Sequence, residues 1–126
     1  MSIHRFTEAR REARIRVPAM YSDVRARRKG ERRYAWTGHV YDISASGMRF
    51  EFDQALEVGV AIEVRLVLPG RGQKPIRLSG RVVRVEEEEG EPGPVRMAMS
   101  FAAFHSETDA RRLEDYLASH GLRAAA

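Results

Sequence analysis

With 126 residues, 43% of them hydrophobic and 32% charged, the chain has the size and balance of one globular domain, with room for a small core but none for a separate catalytic domain. It holds no cysteine, which excludes disulfides, thiolate zinc sites and cysteine nucleophiles and fits a reducing compartment. Lysine and arginine outnumber aspartate and glutamate by 22 to 18, a net charge of +4; the excess lies before Arg33, and that basic first third implies an anionic partner.

Residues 1–14 show no period-two pattern and almost no apolar stripe, although Thr7 to Arg14 is rich in helix formers. So short a segment is marginal as an isolated helix, and a mobile basic arm is expected. Neither this start nor any later stretch reads as a secretory signal or as the roughly 18 apolar residues of a membrane span, so a cytoplasmic protein is expected.

Ile15 to Tyr21 reads as a first strand, with Pro18 marking an edge or a bulge. Arg27 to Glu31, with Gly30, reads as a charged turn, and Arg25 to Arg33 as a charged hairpin tip or an ancillary phosphate or partner contact. Tyr34, Trp36 and Val40 alternate with polar or small residues as a second strand. Asp42 to Gly47 interrupts the run. Met48, Phe50 and Phe52 then alternate with Arg49 and Glu51, and Ile62, Val64, Leu66 and Leu68 repeat the rule. The turn Pro69-Gly70-Arg71-Gly72 closes that strand. Ile76, Leu78, Val82, Val83 and Val85 form a longer one, whose phase slips near Gly80 and so predicts a bulge or bend. The acidic stretch Glu86 to Glu91 reads as a solvated loop ahead of Met97, Met99 and Phe101.

The last element is helical. Leu113 and Leu117 are spaced i,i+4, Ala110 and Tyr116 flank them, and charges fill the other face. Ser106-Glu107-Thr108-Asp109 predicts the N-terminal cap and Gly121 the stop. Six or seven half-buried strands and one terminal helix argue for a mainly β fold, a small antiparallel barrel on which the helix buries its leucines. The expected organisation is an arm over 1–14, a barrel with its helix over 15–121, the helix itself at about 107–120, and a frayed tail over 122–126.

Two short motifs remain. Arg10-Arg11-Glu12-Ala13-Arg14 is an Arg-x-x-x-Arg, and Asp42-Ile43-Ser44-Ala45-Ser46-Gly47 is an Asp-x-Ser-x-x-Gly between two strands. Their order, their separation and the strand pattern around them resemble the PilZ family, bacterial receptor domains for cyclic di-GMP. Gly80 to Val85 and Met97 to Phe101 are similar to the family's last two strands. The resemblance implies a six-stranded antiparallel barrel, a non-catalytic receptor and an unidentified protein partner that receives the signal. It implies ligand contacts at Arg10, Arg14, Asp42, Ser44 and Gly47, with Arg11 as a helper. A second register stays open, in which Arg11 and Arg16 take part, because Arg16-Val17-Pro18 fits the family's join into its first strand.

The chemistry of the residues agrees. Arginine offers a planar, permanent cation that suits phosphates, the guanine O6/N7 edge and an aromatic face. Asp42 can accept from guanine N–H groups, Ser44 can bond a phosphate or base, and Gly47 can take the dihedral of a turn re-entering a strand. No metal or cofactor is expected, since His4, His39, His105 and His120 show no ligand spacing. No nucleophile elbow or acid–base pair is assembled around Ser44, so an enzyme is not expected. Trp36, Phe50 and Phe52 read as core. The alternatives are a single-stranded nucleic-acid-binding barrel that uses Trp36 as a stacking platform, and a degenerate domain that only docks proteins.

Overall fold

The computed structural model describes residues 13–86 and 93–125, with side chains as far as His120. Seven strands and one helix follow in order: β1 Ile15–Arg16, β2 Asp23–Arg28, β3 Trp36–Ile43, β4 Gly47–Phe52, β5 Ala61–Val67, β6 Ile76–Glu86, β7 Val95–Phe104 and α1 Glu107–Ala125. All pairings are antiparallel. Six strands close a ring, β3-β2-β5-β6-β7-β4, shut by the pairing of β4 back onto β3. β1 stands outside that ring on the end of β3, with Ile15 opposite Ile43 and Arg16 opposite Asp42.

Period-two alternation builds the wall. Val64 and Leu66 of β5, Ile76 and Leu78 of β6, and Met97 and Met99 of β7 all point inward and are buried, as are Phe50 and Phe52 of β4. The Phe50 and Phe52 rings meet at 4.8 Å in a tilted pair. The anticipated phase slip in β6 is present as register shifts between Ser79 and Gly80 and between Val82 and Arg84. The slip turns Val83, an apolar residue of that strand, out to solvent.

Two elements differ from the sequence reading. The expected strand Ile15 to Tyr21 stops at Arg16. Val17 still donates its N–H to the Tyr41 carbonyl at 2.8 Å, but Pro18 has no N–H to continue the ladder, and Ala19–Tyr21 forms a 3-10 turn. The Ser22 hydroxyl fills the gap by accepting the Val40 N–H at 3.0 Å. The chain then forms β2 at Asp23–Arg28, where the charge density reads as a turn. Val24 and Ala26 of β2 face the core, both fully buried, while Asp23, Arg25 and Arg27 project from the outer wall and Arg28, at the strand's end, stacks over Trp36. A barrel strand needs just that alternate pair of small apolar side chains.

The helix starts where the cap predicts. The Asp109 N–H donates to Ser106 Oγ at 3.2 Å. The helix then runs past Gly121, the anticipated stop, to Ala125. Ala110, Leu113 and Tyr116 are buried against the barrel, and α1 touches β1, β6 and β7. Fully burying a side chain such as Leu113 stabilises the fold by roughly 1.5–3 kcal/mol. Arg112 Nη1 donates to the Pro75 carbonyl at 2.8 Å, which ties α1 to the start of β6.

Asp109 makes the second tie. Its Oδ1 accepts the Arg77 N–H at 2.7 Å, and its Oδ2 accepts from the Ser106 hydroxyl. Burial disfavours the ionised carboxyl, but those two hydrogen bonds, together with the nearby His105 and Arg112, outweigh it and hold Asp109 below the ordinary aspartate value of 3.8. A carboxyl depressed on folding adds stability above its unfolded value, and that gain is lost as the pH falls through its folded one. Asp109→Ala should therefore cost about 1–3 kcal/mol near neutral pH. In urea titrations, the gap between the variant and the parent should narrow as the pH drops below 3.8.

Candidate functional site

The turn Ser44-Ala45-Ser46 joins β3 to β4, and the Ser44 N–H donates to the Gly47 carbonyl at 2.9 Å to close it. Ile43 pairs with Met48, Asp42 with Arg49 and Val40 with Phe50, so one residue, Tyr41, is extra on β3. This bulge decides the site. It keeps Val40 and Ile43 in the core while Tyr41 and Asp42 both meet outward-facing side chains of β4. The Tyr41 hydroxyl bonds Glu51, and Asp42 bonds Arg49.

Asp42 is only 8% exposed, and a charge that deep needs partners. It has two. Arg49 donates Nε at 2.8 Å and Nη2 at 2.7 Å to Oδ2, and Arg14 donates Nη1 at 3.0 Å to Oδ1. Arg49 comes from the directly paired position on β4. Arg14 comes from the residue before β1, and β1 is registered on Asp42 through Arg16. The carboxylate is thus sunk in the wall, while the Arg14 and Arg49 side chains remain 56% and 50% exposed. Arg14 commits one nitrogen to Asp42, which leaves other donors of its fork for a second anion.

Beside this trio a cleft of about 380 Å³ opens on the outer face of β3, β4 and β7, within the roughly 300–1,000 Å³ usual for small-molecule sites. Arg16, Tyr41, Asp42, Arg49, Glu86 and Arg96 carry its polar groups. Arg96 lies over the Tyr41 ring at 4.9 Å from its centroid. Burial pushes the Tyr41 hydroxyl above its ordinary value, and its hydrogen bond to Glu51 adds to the rise, so the phenol remains a neutral donor at physiological pH. Among the described residues Arg16 has no ion-pair partner.

The structure brings Arg14 and Asp42 into contact, as the two motifs suggest. Arg16, from the alternative register, lines the same cleft. Arg10 and Arg11 lie outside the described residues. Ser44 is 4% exposed and its hydroxyl serves the turn: it accepts the Ser46 N–H at 3.3 Å and donates to the Gly47 carbonyl at 3.4 Å. Gly47 does not have the positive φ that would reserve it for a turn dihedral. Its constraint is the neighbouring strand, because a Cβ there would stand 2.4 Å from the Met99 carbonyl oxygen. Sequence reasoning missed Arg49, Arg96 and Tyr41 as site residues. Arg49 carries a faint signal, because counting back from the turn sets it opposite Asp42; Arg96 carries none. Trp36 packs against the core with the Arg28 guanidinium 4.5 Å over its ring, so it offers no bare platform for a base. Among the described residues no group of three or more His, Asp or Glu side chains is placed to hold a metal ion, and no helix is long and apolar enough to cross a membrane.

A family model described as PilZ domain matches residues 8–119. The solved PilZ domain of YcgR from Escherichia coli with c-di-GMP is similar at TM-score 0.62 and 19% identity, over 90% of this chain and 92% of that one. The MrkH–c-di-GMP complex of K. pneumonia is similar at TM-score 0.64 and 24% identity, over 91% of this chain and 52% of that one. The Bacillus subtilis inhibitor of motility MotI/DgrA is similar at TM-score 0.66 and 17% identity, over 89% of this chain and 50% of that one. The chain thus spans about half the length of MotI and MrkH, and at these identities the likeness is one of fold. No curated protein matches it by sequence.

The crowding at Gly47 sets a test. Gly47→Ala should destabilise the protein by about 1–3 kcal/mol, through forced separation of β4 from β7. A lowered urea midpoint with an unchanged far-ultraviolet circular dichroism spectrum at low denaturant is the expected result.

Proposed function

The chain belongs to the PilZ family, and from that premise we propose that it is a non-catalytic receptor for cyclic di-GMP that relays the signal to a protein partner. The observation that carries the reading is Asp42, a carboxylate sunk in the wall of a cleft of about 380 Å³ and ringed by guanidinium groups that reach further out than it does. Such a site separates two tasks by depth. The carboxylate can only accept, which suits the N1–H and N2–H edge of guanine. The arginines can only donate, which suits phosphodiester oxygens and the guanine O6/N7 edge.

Cyclic di-GMP carries both features in one compact molecule, with two phosphodiester charges and two flat purines. In the proposed complex Asp42 takes a guanine edge, and Arg14 turns its remaining donors to a phosphate. Arg49 holds Asp42 from behind, and Arg16 and Arg96 serve the second half of the ligand. Arg10 and Arg11 would close over the nucleotide from the arm. Ser44 and Gly47 support the reading as the turn that sets Asp42 in place. Micromolar affinity requires about −8 kcal/mol, and each charged hydrogen bond supplies roughly 1.5–3, so two arginines and one carboxylate reach that range. The relay is a population shift: the ligand favours the arrangement in which the arm is closed on the barrel, and a partner reads that arrangement.

Isothermal titration with cyclic di-GMP, alongside GTP and cyclic di-AMP, tests the reading. Heat is expected for cyclic di-GMP alone. Arg14→Ala should weaken binding by about 2–5 kcal/mol, at least roughly 30-fold in Kd. Asp42→Ala should erase the preference for guanine over adenine. Equal heats for all three nucleotides, or none for any, would end the proposal.

A further inference from the structure

The outer wall opposite the cleft carries a row of arginines that the ligand site does not use. In the closed ring β5 stands three strands from β4, on the far side of the barrel. There Arg25 of β2 pairs directly with Arg65 of β5, and Arg65 pairs directly with Arg77 of β6. Their sequence neighbours Val24, Val64 and Ile76 are buried, so all three guanidinium groups leave on the outer face. Arg25 bonds Asp23 along its own strand at 3.2 Å, but among the described residues neither Arg65 nor Arg77 has an ion-pair partner. Strands about 4.8 Å apart place three like charges in a line about 10 Å long. Like charges directly opposite one another weaken a sheet, and among the described residues only Arg25 of these three is answered by a carboxylate, that of Asp23.

A second observation lies at the end of that row. A smaller cleft of about 220 Å³ opens between β2, β5, β6 and the end of β7, and Arg27, Tyr34, Glu63, Arg77, Ser79 and His105 carry its polar groups. Arg27 is already engaged, 3.4 Å from Glu63 and stacked over Tyr34 at 4.6 Å. Arg77 is not, so the cleft offers one uncommitted cation to an anionic group of side-chain size.

We propose that this wall is the docking surface for an acidic segment of a partner protein, whose carboxylates lie across Arg25, Arg65 and Arg77 and whose end group enters the cleft beside His105. Charge complementarity selects an anionic partner, and the carboxylates within the face select its class. Asp23 and Glu63 stand among the arginines and would repel a continuous phosphate backbone, whereas separate side-chain carboxylates can be spaced to avoid them. Of the two aromatic rings that line the cleft, Tyr34 is covered by Arg27 and Phe104 is packed against the core, so neither is a bare platform for a base. The proposal rests on the receptor reading only in taking the partner to be a protein.

The test is fluorescence anisotropy with the full chain and a fluorescein-labelled peptide of alternating glutamate and serine, beside a labelled oligodeoxythymidylate of equal net charge. The wild type should bind the peptide more tightly than the oligonucleotide, and added salt should weaken that binding. Arg65→Glu with Arg77→Glu should weaken peptide binding about tenfold or more while leaving the cyclic di-GMP titration unchanged. Arg65→Gln with Arg77→Gln, which only removes charge, should give a smaller loss in the same direction and serves if charge reversal prevents folding. The thermal midpoint of Arg65→Gln should hold or rise, because a repelled neighbour is removed. Undiminished peptide binding by both double variants would overturn the proposal, and so would tighter binding of the oligonucleotide than of the peptide. Absence of cyclic di-GMP heat from the wild type would count against the receptor reading alone, since the peptide measurement does not depend on it.

Discussion

Strand β4 is paired on both edges, to β3 and to β7, and the rest of the molecule depends on that double pairing. It turns an open antiparallel sheet into a ring, removes the last exposed edge and encloses Phe50 and Phe52. Backbones must come very close on both sides for this to happen. A Cβ at Gly38 would stand 1.7 Å from the Glu51 carbonyl oxygen, and one at Gly47 would stand 2.4 Å from that of Met99. Two glycines without side chains are therefore a condition of closure, one on each edge of the same short strand.

The chemistry of the candidate site is a by-product of how that closure is fitted. β3 carries one extra residue against β4, Tyr41, a bulge that bends the strand as the ring closes. The bulge puts a carboxylate on the outer wall at the depth of the backbone, where water screens it poorly. Arginines from β4 and from the root of the arm satisfy it. The groups that stabilise Asp42 are thus of the kind that the proposed receptor role requires for phosphates. β1 also touches α1, so the segment that carries Arg14 and Arg16 forms part of the footing of the terminal helix. The candidate cleft and the helix meet through that short strand.

The two walls of the barrel carry opposite logic. On the β4 side, cations are interleaved with Asp42, Glu51 and Glu86 around a cavity, an arrangement that favours a small ligand with both donors and acceptors. On the β5 side, cations follow one another across strands over a convex surface with a small cleft at its end, which favours an extended anionic surface. A barrel makes this division simple, because alternate residues of every strand are free of the core and each wall can be varied without disturbing the other.

Local pattern alone determined most of the architecture. The alternation in β4 to β7, the slip at Gly80 and the Ser106 cap each depend on residues a few positions apart, and each is present. The two motifs were legible for the same reason, and so was the pairing of arginine and carboxylate chemistry they supply. Tertiary structure decided what depends on distant partners. β2 exists because β3 and β5 flank it and bury Val24 and Ala26, although its own composition argues for a turn. Tyr41 joins Asp42 on the outer wall because of a one-residue slip, and Arg96 reaches the site through the pairing of β4 with β7, segments far apart in sequence. Gly47 is held by contact with Met99 rather than by its own dihedral. Short-range periodicity records which face a residue takes, but a register is set by closing the whole ring, and only the closed ring determines which charges meet.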